Sequence, residues 1–324
     1  MPLATPLTMD LAGIRRAADV VAAHLAATPV VSHPLLDAAV GAPVLVKHEN
    51  VLPTGAFKVR GGIHLASCLT EAERAAGLIS VSTGNHAQSV AYAARLAGTR
   101  ATIVMPTSAP AVKVEAVAAL GATVVTHGPT MTEATAHARE LEARHGLRFV
   151  DPSEAVILLG HATLYLELFT DHPDLAAVFV PVGSGTGAAG ACLVRDALAP
   201  SCRVVAVQSE AAPAAYRSWR SGRLESAPCT TVVSGVATGH GFALPQSLLA
   251  GRLDDFVLVP DARIADAARL MATHAHTLAE GAGAAALAGL LAHARPDGTS
   301  AVICTGGNAS AEEIAALAGP ASFG

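Results

Sequence analysis

From Val44 onward, short β-branched runs alternate with longer Ala-rich stretches, and this alternation constrains the fold more than any other feature of the chain. Predicted strands are Val44–Lys47, Ile79–Ser82, Ala101–Met105, Thr123–Thr126, Val178–Val182, Val204–Val207, Phe256–Val259 and Ala301–Cys304. Predicted helices include Asn85–Leu96, Ala111–Leu120, Thr132–Arg144, His161–Phe169, Ala188–Leu198 and Ile264–His274. A helix between two strands acts as a crossover and leaves the strands parallel, with helices covering both faces of the sheet. The expected class is therefore α/β with parallel sheets. The compact βα run from Ile79 to Val150 reads as a smaller unit set into a larger one. No Pro/Ser/Gly linker separates independent domains, and no repeat or low-complexity tail interrupts the pattern.

Composition narrows the function classes. Hydrophobic residues are 52% and aromatics only 3%, so Ala and Gly must build the core through close helix–sheet contacts. Charged residues are 15%, well below the usual quarter, which is compatible with buried subunit contacts. The net charge of −5, with no Lys/Arg run, argues against nucleic-acid binding. Leu175 to Val194 is uncharged and about as long as a membrane span. It carries Pro181, Gly183, Gly185, Gly187 and Gly190, however, and reads as strand, turn and helix start, so no membrane association is expected. Met1 to Gly13 lacks the basic start and apolar segment of a signal peptide. Five scattered cysteines without a CxxC suggest reduced thiols in a cytoplasm. The fourteen histidines are dispersed, and His274 and His276 sit two apart on a predicted helix and so on different faces. No metal site is expected.

Three glycine-containing turns follow predicted strands: Ser82-Thr83-Gly84-Asn85-His86, Gly183-Ser184-Gly185-Thr186-Gly187 and Thr305-Gly306-Gly307-Asn308. Ligands of open α/β sheets bind at the carboxyl ends of strands, and backbone N–H groups entering a helix favour anions. Each turn alone is also consistent with tight packing. Together they suit a ligand with at least two anionic groups. The 183–187 turn fits a dinucleotide fingerprint poorly, and no P-loop is present. Lys58 lies between glycines in Thr54-Gly55-Ala56-Phe57-Lys58-Val59-Arg60-Gly61-Gly62. Position alone leaves two readings open: an amine activated by apolar neighbours and Arg60, or a lysine snorkelling to the surface.

These segments occur in a recognisable order. Lys47-His48-Glu49-Asn50 through Gly62 resembles the cofactor-lysine signature of fold-type II pyridoxal-phosphate (PLP) enzymes, the tryptophan synthase β-like group, with Ala56 where Ser is usual. Ser82 to His86 resembles the family's S-x-G-N-H segment, Gly183–Gly187 its phosphate loop, and Thr305–Asn308 its S-G-G-N segment. The resemblance runs from about Thr28 to Asn308. Within the family the chain is most similar to threonine/serine dehydratases, with serine racemase close by, and Glu280-Gly281-Ala282-Gly283 shares in that likeness. No regulatory domain is expected after Asn308.

The resemblance implies a two-domain enzyme, with 1–70 and 155–324 forming the larger, PLP-binding domain and 76–154 the smaller. It implies that Lys58 carries PLP as a Schiff base and later takes the substrate's α-proton, with Phe57 beside the cofactor. Asn85 would bond the ring 3-oxygen, Gly183, Ser184, Gly185, Thr186 and Gly187 would cradle the phosphate, and Thr305 would face the pyridine nitrogen. Ser82, Thr83, Gly84, Asn85 and His86 would hold the substrate carboxylate. The implied reaction removes water and ammonia from a β-hydroxy amino acid such as L-threonine or L-serine. A hydroxyl at the ring nitrogen does not keep the ring protonated, which shortens the carbanion's life and favours elimination.

The departures matter too. Ser184 and Thr186 replace two glycines of the usual phosphate loop, which costs strain if they need positive φ unless their hydroxyls bind the phosphate. Glu210 matches one ligand of a cation site found in some relatives, but Ala211 to Tyr216 supplies no second carboxylate. Thr83 offers the hydroxyl that a racemase needs as second acid/base, so amino-acid racemisation is the principal alternative. Less favoured are β-replacement of the cysteine synthase type, a PLP-holding protein without turnover, and a nucleotide-binding oxidoreductase.

Overall fold

The structure is a computed structural model, and it describes residues 7–294 and 297–318. The first six residues of the Met1–Gly13 segment, and the positions after 318, lie outside the described residues. The chain begins with α1 (Leu11–Ala22), β1 (Val30–Ser32), α2 (Pro34–Val40), β2 (Val44–His48), α3 (Lys58–Cys68) and α4 (Glu71–Ala76). Next come β3 (Leu78–Val81), α5 (Asn85–Ala97), β4 (Ala101–Met105), α6 (Ala111–Ala119), β5 (Thr123–Thr126), α7 (Met131–His145) and β6 (Arg148–Phe149). The remainder is α8 (Ala155–Asp171), β7 (Ala177–Pro181), α9 (Thr186–Leu198), β8 (Arg203–Ser209), α10 (Ala214–Ser221), α11 (Ala243–Leu249), β9 (Asp255–Val259), α12 (Asp261–His274), α13 (Gly281–Ala292), β10 (Ser300–Cys304) and α14 (Ala311–Leu317).

Two sheets result. The larger has the order β1-β2-β10-β7-β8-β9, the smaller β5-β4-β3-β6. All pairings are parallel except that of the edge strand β1 with β2. The smaller sheet is built entirely between β2 and β7, so the chain leaves the larger sheet, completes the smaller one and returns. On return, β10 pairs beside β2 in the register Cys304↔His48. That register aligns the carboxyl ends of two strands far apart in the chain and delivers residues 54–58 and 305–308 to one place.

Helices cover both faces of the larger sheet. On one face, α1, α8 and α9 pack with Leu158, Tyr165, Val178 and Val204. On the other, α2, α12 and α13 pack with Val46, Phe179 and Val302. The α13 sequence, Gly281-Ala-Gly-Ala-Ala-Ala-Leu-Ala-Gly-Leu-Leu-Ala, has its small residues where the helix presses on the sheet. A Cβ on Gly289 would strike the Val207 side chain, and one on Gly283 would strike the Gly306 carbonyl. The smaller sheet is sandwiched by α5 on one side and by α7, through Ala134 and Ala138, on the other.

β4 and β5 occupy the predicted residues, and the other predicted strands shift at their ends by up to two positions. α8 begins at Ala155, six residues before the predicted start, because its first turns are buried on every side and show no amphipathic period. His276 lies beyond α12 and is the one non-glycine residue with positive φ, 52°, among the described residues.

Candidate active site

The chain contains three lysines, Lys47, Lys58 and Lys113, and their environments differ sharply. Lys47 is buried and paired with Glu167 at 2.5 Å. Lys113 donates to Ser234 Oγ at 3.1 Å. Lys58 is the first residue of α3, with Nζ 5.0 Å from the Phe57 ring centroid. The residue is half-buried, and desolvation of its ammonium pushes its pKa down to about 8. Roughly a tenth of the amine is then neutral and nucleophilic at pH 7, far more than for a free lysine.

What fixes Lys58 is a short cross-chain pairing. Phe57 N–H donates to Thr305 O at 3.0 Å, Gly307 N–H donates to Gly55 O at 2.9 Å, and Ala56 and Gly306 form an antiparallel bridge. Gly55 is required here: its φ is +65°, and a Cβ would meet Asn308 Oδ1 at 2.5 Å. Ser89 of α5 donates to Lys58 O at 2.6 Å, tying the smaller sheet's first helix to the same point.

Beneath Lys58 lies a buried ion network. Arg60, with no exposed surface, makes two bonds to Glu49 (2.6 and 2.9 Å) and two to Glu167 (2.6 and 2.9 Å). Thr28 Oγ1 donates to Glu49 at 2.6 Å, and Lys47 completes the charge balance. Two cations and two carboxylates thus lock the end of β2, the start of α3 and the middle of α8 together. The sequence singles out Glu49 and Arg60 only as part of a signature. It gives no sign of Glu167, which lies mid-helix and far along the chain.

The turn Ser82-Thr83-Gly84 follows β3 and opens α5 at Asn85. Gly84 N–H donates to Ser82 Oγ at 3.1 Å. Space beside Gly84 is open: a Cβ placed there would meet no atom within 4 Å. Asn85 Nδ2 donates to Glu280 Oε1 at 2.6 Å, and its Oδ1 accepts from Asn308 Nδ2 at 2.8 Å. Burial pushes the Glu280 carboxyl up to about 7, opposed by the Asn85 N–H. Neither Glu280 nor Asn308 has a role that the sequence alone assigns. The His86 ring turns inward, with Nε2 3.3 Å from Val150 O, and burial followed by the charge of Lys58 lowers its pKa to about 4. What His86 presents to the turn is its backbone N–H, one of the free donors at a helix start.

The 183–187 segment connects β7 to α9. Gly185 is the N-cap with φ +89°, while Ser184 and Thr186 both have negative φ, so neither incurs the strain that a positive φ would bring. A Cβ on Gly183 would meet Gly235 O at 2.6 Å, and Thr238 Oγ1 donates to Gly183 O at 3.3 Å, so the 234–238 loop closes over the turn. Thr305 is buried, and its hydroxyl donates to Ala282 O at 3.2 Å. Glu210 directly follows β8 and is exposed, and no group of three or more metal-ligating side chains comes together among the described residues.

These residues fit PLP. Lys58 is a half-buried amine with lowered pKa, the 13-residue helix α9 starts with free N–H groups behind a glycine cap, and the buried Nδ1 of His86 and hydroxyl of Tyr165 lack partners. The comparisons with known proteins agree. Residues 21–306 match the family model described as "Pyridoxal-phosphate dependent enzyme". The chain is 36% identical over 277 residues to the L-threonine ammonia-lyase of Thermotoga maritima, covering 85% of this chain and 69% of that protein. It is 35% identical over 294 residues to the L-threo-3-hydroxyaspartate ammonia-lyase of a Pseudomonas species, covering 90% and 92%. The solved structure of a T.th. threonine deaminase superposes with a TM-score of 0.88 at 35% identity, covering 93% of this chain and 99% of that one. The chain belongs to the pyridoxal-phosphate dependent enzyme family.

Proposed function

We propose that the chain is a PLP-dependent ammonia-lyase that converts a small β-hydroxy amino acid, such as L-threonine or L-serine, into a 2-oxo acid and ammonia. The observation that carries this reading is Lys58: the one lysine without an ion-pair or hydrogen-bond partner for its side chain among the described residues, half-buried and anchored to the segment after β10 and to Ser89 of α5. Relatives named for the ammonia-lyase reaction on threonine and on 3-hydroxyaspartate support the substrate class.

PLP supplies an aldehyde that captures amines and a ring that draws electrons from the substrate's α-carbon. The rest is done by the chain. Lys58 would hold the group, and its amine would serve as the base for the α-proton. Asn85, its amide oriented by Glu280 and Asn308, would offer its second Nδ2 proton to the ring 3-oxygen. N–H groups of the 183–187 turn, with the Ser184 and Thr186 hydroxyls, would take the phosphate, and Thr305 would face the ring nitrogen. The Ser82–Gly84 turn takes the substrate carboxylate at the start of α5, where the helix dipole favours an anion. Loss of hydroxide needs a proton, for which the cofactor phosphate and the Lys58 ammonium are the two candidate donors.

The chain divides, in this reading, into 1–70 with 155–324 and 76–154, where it leaves and re-enters the larger sheet. Scattered free cysteines and the low charged fraction support a cytoplasmic homodimer. No described helix is long and apolar enough to cross a membrane.

Thr83 supports a second reading, racemisation, because its hydroxyl sits on the substrate turn. The test is to supply L-threonine, L-serine and L-threo-3-hydroxyaspartate to the PLP-loaded chain and to its Thr83→Ala variant. Release of 2-oxo acid and ammonia by both supports elimination. Appearance of the other enantiomer without oxo acid, abolished by Thr83→Ala, moves the assignment to racemase, and neither product removes both readings.

A further inference from the structure

His161 lies outside every segment from which the site was read, yet the fold places it at the junction between Lys58 and the 183–187 turn. It is fully buried on α8. Its ring packs on Phe57, with centroids 4.6 Å apart. Its Nε2 faces Gly61 of α3 so closely that a Cβ there would approach it to 2.7 Å. The next contact of α8 with α3 is as tight, since a Cβ on Gly160 would meet Arg60 O at 2.6 Å. Two glycines, one on each helix, therefore let the imidazole reach this point and hold it there. Its Nδ1 lies 2.9 Å from Thr186 Oγ1, and Thr186 Oγ1 lies 3.3 Å from Ser184 Oγ.

We propose that His161 is the positioning residue of this turn: its Nδ1–H donates to Thr186 Oγ1, which leaves the Thr186 proton aimed at a phosphate alongside the turn amides and the Ser184 hydroxyl. The proposal rests on the reading that the 183–187 turn takes the cofactor phosphate, and it specifies how this chain does so. A free threonine hydroxyl at a helix start can rotate among staggered positions. One bonded to a wedged imidazole cannot, so the ordering entropy is met on folding rather than on binding. Burial, followed by the nearby charges of Lys58 and His86, holds His161 well below the usual histidine range, so the ring is neutral and adds no charge to the phosphate site. The arrangement also accounts for a hydroxyl-bearing turn at Ser184 and Thr186, since neither residue has the positive φ that would demand glycine.

The alternative is that His161 merely fills space between α3, α8 and α9. The two accounts separate when PLP is compared with pyridoxal, which lacks the phosphate. Dissociation constants of both are measured by absorbance titration of the cofactor-free full chain, for wild type, His161→Phe, His161→Gln, Thr186→Val and the double variant His161→Phe/Thr186→Val. The expected result is that His161→Phe and Thr186→Val each weaken PLP by at least about tenfold, the worth of one hydrogen bond to a charged group, and leave pyridoxal unchanged. His161→Gln, which keeps a side-chain hydrogen bond, recovers most of the loss. The double variant is no worse than the singles, because both remove one shared interaction. The proposal is overturned if His161→Phe weakens PLP and pyridoxal alike, if it changes neither, or if the two substitutions add. A wild type that binds pyridoxal as tightly as PLP removes the phosphate reading of the turn itself. A wild type that prefers PLP, with Thr186→Val alone losing that preference, removes the role of His161 and leaves the turn reading intact.

Discussion

Arg60 shows how far single side chains reach in this fold. Its guanidinium is fully buried and makes two bonds to each of two carboxylates. Removing one partner of such a network leaves an uncompensated charge, here the fully buried Glu49. Arg60→Met is expected to cost about 3–5 kcal/mol of unfolding free energy, read by urea denaturation; a loss under about 1 kcal/mol would show that the network does not hold α3 in place. Glu280 adds a pH dependence. Its folded pKa of about 7 lies above the ordinary 4.5, so the folded chain keeps a proton that the unfolded chain releases. The stability this contributes is complete below about 4.5 and is lost as pH rises through about 7. His86 acts in the opposite sense, since a pKa lowered from 6.5 to about 4 gives stability present above 6.5 and lost as pH falls through 4. Subtracting the stability curve of Glu280→Gln from that of wild type isolates the carboxyl. The difference should fall by a few kcal/mol between pH 4.5 and about 7, and a flat difference would mean that Glu280 is ionised throughout. Lys58, Asn85 and the three turns are legible in the sequence because each stands in a local pattern. Glu167 and His161 are not, because each sits mid-helix without a local signal and acquires its meaning only when α8 packs on α3.

At the scale of elements, the helices that the sequence hides are those that hold the site. α13 is apolar all round and buried along nearly its whole length, so it shows no amphipathic stripe. α3 carries Gly61-Gly62 in its interior, which lowers helix propensity, and the glycines are there because Ser89 and His161 press against them. The strands β1 and β6, of three and two residues, are too short to register as period-two runs. Two glycine substitutions separate packing from function. Gly283→Ala drives a methyl into the Gly306 backbone. Overpacking of this kind costs about 1–3 kcal/mol, and it should also weaken PLP binding by displacing Thr305 to Asn308; unchanged stability and cofactor affinity would contradict the close packing of α13 on the segment after β10. Gly84→Ala meets open space at negative φ. It should leave stability within about 0.5 kcal/mol while raising KM for the amino acid, if the substrate carboxylate occupies that space as proposed. An unchanged KM would place that carboxylate elsewhere.

For the whole molecule, the alternation of strands and helices is sufficient to predict parallel sheets, but not their interleaving. Nothing in a strand's own sequence announces that β2 pairs with β10 rather than with β3. That pairing follows from completing the smaller sheet first and returning, and it brings Thr54–Lys58 to Thr305–Asn308; β7 beside β10 carries the 183–187 turn, and Asn85 of the smaller sheet's first helix bonds Glu280 and Asn308. The central claim concerns which of three lysines carries the cofactor. Borohydride reduction fixes a lysine-bound PLP irreversibly, and peptide mass spectrometry then locates it. The phosphopyridoxyl group is expected on the peptide containing Lys58, with none on Lys47 or Lys113 and none anywhere in Lys58→Ala. Label on Lys113, or a wild-type chain that takes up no PLP, would contradict it.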